Sequence, residues 1–170
     1  MVIYHRRKII AGLCTVTFGI TGCALAPKVS DLHSTSSIWR GRLAVRVEAD
    51  ETNRLGHSLT AGFELTGNAT EGGLTLYTPI GGTAAVMTWT RTDATLLSQS
   101  ERRRFPSLKV MIEQIIGTDI PVDALFAWLQ GTNAAAEGWM ADVTDHQNGR
   151  IKAVRTHPSP AASLRVVLEK

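Results

Sequence analysis

Apolar and polar residues alternate with a period of two along most of the chain after residue 38. In the first such stretch Leu43 and Val45 lie on one face, and arginines occupy the other. This is the period of a β-strand with one buried and one solvated face. Similar patterns predict further strands at 59–65, 74–76, 84–89, 94–98, 139–143, 150–156 and 163–168. Because neighbouring strands are joined by short turns, we expect an antiparallel sheet, and the number of small residues favours strong curvature.

The period changes to that of an α-helix after Ser107. Apolar residues at 108, 111, 112, 115 and 116 share one helical face, and Gly117 is placed as a C-cap. Pro121 fits the first turn of a second helix, which we expect to end at Gly131. Two short amphipathic helices cannot extend a sheet, so they should cover its concave face or cap one end. We therefore predict a mainly β fold with helices (α+β), in which the antiparallel strands form a curved sheet or a barrel.

One predicted turn carries a large apolar residue at a position where polar residues are usual. Pro79 has no N–H for strand pairing and Gly81 tolerates a positive φ, which is typical of a hairpin tip. Ile80 stands between them, where side chains normally face water. It either contacts an apolar partner, such as a pocket or a membrane, or folds back onto the edge of the core. The pattern alone leaves both interpretations open.

Residues 1–22 have the three parts of an export signal. A basic segment precedes an apolar run of about 12 residues, shorter than the roughly 20 that span a bilayer. Small residues then precede Cys23, so we predict a lipoprotein signal peptide and a lipid anchor such as palmitate on Cys23. The alternative is a leader with an incidental cysteine. Residues 23–37 should form the acylated Cys and a flexible tether, and residues 38–170 the folded domain.

Removal of the signal changes the charge of the chain. The precursor has 18 basic and 15 acidic residues, but the signal holds Arg6, Arg7 and Lys8 and no acidic residue, which leaves 15 of each. The pI near 9.1 therefore belongs to the precursor, and no nucleic-acid binding is expected. Cys14 leaves with the signal and Cys23 would be acylated, so no thiol remains for a disulfide, a metal or a nucleophile.

The remaining polar residues do not favour an enzyme. The histidines of the domain lack metal-ligand spacing, and no Gly-x-Ser-x-Gly or phosphate-binding loop is present. Asp142, Asp145 and His146 lie close in sequence, as polar residues of a solvated turn often do. We expect no catalysis, metal or cofactor. The alternative from another functional class is a small envelope hydrolase. The charged run 101–104 is expected to be a solvated loop, with contact to an acidic partner or lipid phosphates as the alternative.

Five segments, in order, resemble the LolB family of outer-membrane lipoprotein receptors. They are Trp39-Arg40-Gly41-Arg42-Leu43-Ala44-Val45, Thr78-Pro79-Ile80-Gly81, Ile116-Gly117, Ile120-Pro121-Val122 and Leu125-Phe126-Ala127-Trp128-Leu129-Gln130-Gly131. The resemblance implies an incomplete, strongly curved antiparallel barrel, lidded by the two short helices, around an apolar cavity for acyl chains. It also implies a membrane-insertion loop, Pro79, Ile80 and Gly81, whose projecting residue is leucine in the family. The short segment between Thr156 and Ser163 suggests fewer strands than the family's eleven.

The same resemblance implies a function. The protein would accept acylated lipoprotein cargo from a LolA-like periplasmic carrier and insert it into the inner leaflet of the outer membrane. Its partners would be that carrier, the cargo and outer-membrane phospholipid, and we expect a lipid-anchored monomer on the periplasmic face. Burial of acyl chains is favourable by about 0.8 kcal/mol per methylene, so these chains cannot pass through water unaided. Transfer from one apolar cavity to another, and then into a bilayer, is nearly balanced in free energy and needs no nucleotide.

Apolar residues of the predicted strands and helices are the candidates for the cavity lining. They are Leu43, Val45, Phe63, Leu65, Leu74, Leu76, Met87, Trp89, Ile112, Ile116, Leu125 and Trp128. The alternative is that these side chains fill the interior, which would make the protein a structural or envelope-assembly lipoprotein with a filled barrel. Failure to bind a fluorescent acyl probe would favour that alternative.

Overall fold

The computed structural model describes residues 37–51 and 54–170, which form one antiparallel sheet and two α-helices. The strands are β1 (Ile38–Val47), β2 (His57–Gly67), β3 (Gly72–Tyr77), β4 (Thr83–Trp89), β5 (Ala94–Ser98), β6 (Glu101–Phe105), β7 (Trp139–Asp142), β8 (Arg150–Arg155) and β9 (Ala162–Leu168). The helices are α1 (Leu108–Ile116) and α2 (Val122–Leu129), and a short 3-10 helix spans His146–Asn148. The predicted signal peptide, Cys23 and the tether before Ser37 lie outside the described residues.

The sheet is an open antiparallel meander, interrupted by one long connection between β6 and β7. Its strand order is β6-β5-β4-β3-β2-β1-β9-β8-β7, and every neighbouring pair is antiparallel. The chain leaves the sheet after β6, forms both helices, and returns to add β7, β8 and β9 beside β1. Since β6 and β7 are the two edges and do not pair, the sheet is not closed into a barrel. Nine strands are present in the described chain, fewer than eleven.

Alternation along the strands separates a buried inner face from a solvated outer face. Across β1 and β9, Leu43 pairs with Val166 and Val45 pairs with Leu164, and these side chains point to the core. Arg42 on the same strand is exposed on the opposite face. The alternation predicted for this strand is therefore confirmed, and the burial of apolar side chains on one face supplies the main stabilisation of the sheet.

The two helices begin and end close to the predicted positions. Ser107 caps α1, its hydroxyl accepting a hydrogen bond from the N–H of Val110 at 3.2 Å, and Gly117 ends it with a φ of +81°. Pro121 directly precedes α2 rather than lying inside its first turn. The aromatic ring of Phe126 on α2 packs edge-on against Trp39 of β1, with ring centroids 5.4 Å apart. Contacts of this kind place the helices on the inner face of the sheet.

The expectation of a loop at 101–104 was wrong, because these residues form most of β6. Gln99 and Ser100 adopt positive φ values of 49° and 70° and turn the chain back onto β5. The strand then pairs along its whole length, from Ser98 with Glu101 to Ala94 with Phe105. Its first four residues are exposed, so an edge strand with charges on successive positions lacks the alternation that reveals strands in sequence. Charged side chains on an edge also discourage pairing with other sheets.

Candidate functional site

An apolar cavity of about 90 Å³ lies between the inner face of the sheet and the two helices. The strands contribute side chains from alternate positions, and the helices contribute side chains three or four residues apart, as their periods require. The lining residues are Leu43, Phe63, Leu65, Leu74, Met87, Trp89, Leu108, Ile112, Val122, Leu125, Phe126, Leu129, Leu164 and Val166. All fourteen are apolar, so the cavity favours hydrocarbon and offers no group for catalysis or for binding an ion.

Eight of the twelve residues predicted to line a cavity border this one. They are Leu43, Phe63, Leu65, Leu74, Met87, Trp89, Ile112 and Leu125. The other four, Val45, Leu76, Ile116 and Trp128, are buried elsewhere in the core. Trp128 is fully buried, lies beside Trp139 and donates a hydrogen bond from Nε1 to the carbonyl of Ala134 at 2.9 Å. It therefore joins α2 to the segment before β7 instead of facing the cavity.

Six lining residues were not among the candidates. They are Leu108, Val122, Phe126, Leu129, Leu164 and Val166. The two β9 residues belong to the alternating pattern of that strand, but only the pairing of β9 with β1 brings them beside Leu43. The helical residues occupy the apolar faces of α1 and α2, and the sequence does not say which part of each face meets the sheet. Whether these six residues line the cavity therefore depends on how distant segments of the chain pair and pack.

A wider, partly polar pocket of about 470 Å³ adjoins the cavity. The two spaces share Leu108 and Val122, at the beginnings of α1 and α2. The rim carries charged groups, and Lys109 Nζ lies 3.1 Å from a carboxylate oxygen of Asp119. This hydrogen bond, together with the charges of Asp119 and Glu113, raises the pKa of Lys109 above its usual 10.5. The charged groups of the rim thus lie near the starts of both helices, beside the apolar cavity.

The loop between β3 and β4 holds Ile80 away from the rest of the protein. The N–H of Gly81 donates to the carbonyl of Thr78 at 2.9 Å, and the N–H of Thr78 donates to the carbonyl of Gly82 at 2.8 Å. Gly81 has a φ of +86°, which favours glycine, and a Cβ at this position would meet nothing within 4 Å. Ile80 is 96% exposed. The interpretation in which Ile80 folds back onto the core is therefore wrong.

The polar residues of the β7–β8 connection do not converge on a common point. The carboxylate of Asp142 accepts a hydrogen bond from the hydroxyl of Thr144 at 2.6 Å, and this bond lowers the pKa of Asp142. Asp145 accepts from Asn148 and Arg150, which likewise lowers its pKa. His146 Nε2 lies 3.0 Å from the carbonyl oxygen of Leu129. Each group thus has a local structural partner. No group of three potential metal ligands exists within residues 37–51 and 54–170.

An open antiparallel sheet with two helices packed on its inner face, and an apolar cavity between them, defines the structural class of this protein. A family model described as "Outer membrane lipoprotein LolB" matches residues 38–161, which include both helices and the eight strands from β1 to β8 and end directly before β9. The chain belongs to the LolB family, a family of lipoprotein-transport receptors rather than of enzymes.

Two curated proteins named outer-membrane lipoprotein LolB are similar to this chain. The protein of Cupriavidus metallidurans is 37% identical over 83 residues, which cover 48% of this chain and 40% of that protein. The protein of Cupriavidus taiwanensis is 30% identical over 156 residues, which cover 86% of this chain and 73% of that protein. The chain thus matches less than half of the length of one relative and about three quarters of the other. Among the described residues, no helix is long and apolar enough to cross a membrane.

Proposed function

We propose that this protein accepts acylated proteins from a soluble periplasmic carrier and delivers them to the inner leaflet of the outer membrane. It would be anchored there by a lipid on Cys23, with residues 23–37 as its tether. The observation that carries the proposal is the cavity lined by apolar side chains alone, in a chain of the LolB family. Ten methylenes exposed to water would cost about 8 kcal/mol, so an acyl chain must stay covered during transfer.

The size of the cavity supports a movable lid. At about 90 Å³ it is smaller than the roughly 150 Å³ cavity that holds one benzene molecule. An acyl chain therefore requires the helices to move away from the sheet. Six lining residues belong to α1 and α2, so such a movement would widen the cavity directly. The charged rim near Lys109 and Asp119 would then accommodate the polar end of the cargo.

Ile80 would contact the bilayer during delivery. Its side chain is exposed on a loop that hydrogen bonds hold in place, and an isolated isoleucine gains free energy from entering lipid. The family resemblance gives the same loop a membrane-directed apolar residue. The loop would shorten the path of the acyl chains from the cavity to the leaflet.

A transfer assay tests the proposal. Purified carrier loaded with a lipoprotein is mixed with membranes that contain this protein, and the cargo recovered in the membrane is measured. We expect transfer with the wild type, strong loss with Ile80→Asp and retention with Ile80→Leu. Ile38→Asp is the matched control, because Ile38 is also an exposed large apolar residue, at 52%, but lies at the start of β1. Equal activity of Ile80→Asp and wild type would reject the role of the loop.

The small cavity also favours a second candidate function, that of an envelope-assembly lipoprotein whose interior stays filled. The two functions differ in the response to an acyl probe. Binding of a fluorescent fatty acid that competes with lipoprotein cargo supports the acceptor. Absence of probe binding, together with absence of transfer, supports the filled interior.

A further inference from the structure

Two large apolar side chains of the described residues stand out by an exposure of 96%. One is Ile80 and the other is Leu55, which lies in the connection between β1 and β2. The sequence around Leu55 is that of an ordinary polar turn, with Arg54 directly before it and Gly56 directly after it. A fully exposed leucine at the tip of a hairpin raises the same question as Ile80, because hydrophobic side chains gain nothing from water.

The topology of the sheet places both tips at the same end. β1 and β3 flank β2, and each pairs with it in antiparallel fashion, so β1 and β3 run in the same direction. The connection that follows β1 carries Leu55, and the connection that follows β3 carries Ile80. Both connections therefore lie at the same end of the strands. Ile38 begins β1 and lies at the opposite end.

The base of the Leu55 hairpin is braced by a neighbouring loop. The N–H of Glu48 donates a hydrogen bond to the carbonyl of Ala161 at 2.8 Å, and Ser159 Oγ donates to a carboxylate oxygen of Asp50 at 3.0 Å. At the other side of the hairpin, Gly56 has a φ of +63° and lies so close to the carbonyl of Val47 that a Cβ would come within 2.7 Å of it. The residue that follows Leu55 is thus packed against the end of β1.

We propose that this end of the sheet faces the lipid bilayer and that Leu55 is a second membrane contact beside Ile80. The inference rests on the proposed function for the contact of Ile80 with lipid. A bilayer fits the observation better than a protein partner, because the two side chains are single and stand on separate hairpins. Single apolar side chains on separate hairpins offer a protein partner little area, whereas a bilayer can cover each side chain separately. Arg54 is exposed beside Leu55, where its guanidinium can meet lipid phosphate.

The length of chain before the domain permits this orientation. Residues 24–37 lie between the predicted anchor Cys23 and β1, and at full extension 14 residues reach about 46 Å. β1 has 10 residues, which span roughly 33 Å. A chain attached at the Ile38 end is therefore long enough for the Leu55 end to reach the same membrane. A single contact at Ile80 would leave the domain free to rotate, and a second contact would fix its orientation.

The experiment measures membrane depth at three positions of the full lipidated protein. Leu55→Cys, Ile80→Cys and Ile38→Cys are each labelled with an environment-sensitive fluorophore, since an acylated Cys23 leaves no other thiol in the mature chain. The proteins are reconstituted in vesicles of phosphatidylethanolamine with a minor fraction of phosphatidylglycerol, with and without a quencher on the acyl chains. The anchor holds every variant on the vesicle, so quenching reports orientation rather than binding.

We expect a blue shift and quenching at positions 55 and 80 and neither at position 38. Quenching at 80 without quenching at 55 overturns the role of Leu55 and leaves the proposed function intact. Quenching at 55 without quenching at 80 upholds the new contact and rejects the role of the Ile80 loop. Quenching at 38 alone, or at none of the three positions, overturns the proposed orientation.

A second measurement tests the contribution of Leu55 without a label. Vesicle binding of the protein without its lipid anchor, produced with Cys23→Ser, is compared for Leu55→Asp, Ile80→Asp and Ile38→Asp. Loss of one leucine from the apolar contact should lower the partition coefficient by about tenfold. Unchanged partitioning of Leu55→Asp, with unchanged thermal stability, overturns the proposal.

Discussion

The cavity beneath the helices and the two hairpin tips contain the same kinds of side chain in opposite environments. Phe63 and Leu65 are buried on the inner face of the sheet, whereas Leu55 and Ile80 are almost fully exposed at its end. Around the cavity an apolar side chain is held by packing from several elements. At the tips it is almost entirely exposed, so the rest of the described protein does not cover it. Hydrophobicity alone therefore does not assign a role, and the surroundings in the fold do.

The largest expected effect comes from a residue of the cavity wall. Phe63→Ala should lower the free energy of unfolding by about 3–5 kcal/mol, because it removes a buried aromatic ring next to an existing cavity. Urea denaturation measures the loss. Ile80→Ala is the comparison and should change stability by less than about 0.5 kcal/mol, since Ile80 touches little. Similar losses for both variants would contradict the distinction between wall and tip.

A smaller effect is expected at the tip itself, through its backbone. Gly81→Ala should destabilise the folded protein by roughly 1–2 kcal/mol, because alanine disfavours the positive φ of 86° although no atom crowds the site. Thermal denaturation gives the difference. Gly82→Ala is the matched control, because no positive φ is found there and its Cβ would lie 3.4 Å from Thr78 Oγ1. An equal loss at both glycines would show that backbone conformation is not the cause.

The smallest effect concerns the β7–β8 connection, which belongs to neither region. The pKa of Asp145 is lowered by hydrogen bonds from Asn148 and Arg150 and by the positive charge of Arg150. A carboxyl group with a lowered pKa stabilises the folded state above its ordinary pKa of 3.8, and this stabilisation disappears as the pH falls through the lower, folded-state value.

Asp145→Asn should therefore melt slightly below the wild type at neutral pH, and the difference should vanish in strong acid. Melting curves across this pH range measure the effect. A difference that persists unchanged in acid would show that charge is not the cause. Glu71→Gln is a suitable control, since Glu71 is exposed in the turn before β3 and forms no ion pair among those found in the described residues.

Much of the fold was predictable because its signals are local. The strand at 94–98 was predicted with the boundaries of β5, and Gly117 was placed correctly as the cap of α1. Alternation and capping depend on a few neighbouring residues, so they can be recognised without the fold. β6 was missed because its charges lie on an exposed edge, where strand formation depends on the pairing with β5 instead of burial.

The candidate site was less predictable, because its parts come from distant segments. Leu164 and Val166 reach the cavity only through the pairing of β9 with β1, more than 100 residues away in the chain. Trp128 is large and apolar, as the lining residues are, but its side chain points to Trp139 and Ala134. Leu55 lies in a turn whose neighbouring residues are mostly polar, and only the structure shows that its side chain is 96% exposed.

By itself, the sequence determined the β-rich class, the two helices and the hairpin with Ile80 at its tip, because periodicity, caps and turn residues act over short distances. Only the tertiary structure decided which apolar side chains surround a cavity, which fill the core and which remain in water. The reason is that burial depends on atoms brought together from the whole chain. It also decided that Leu55 and Ile80 share one end of the sheet, since strand direction is set by pairing rather than by local sequence.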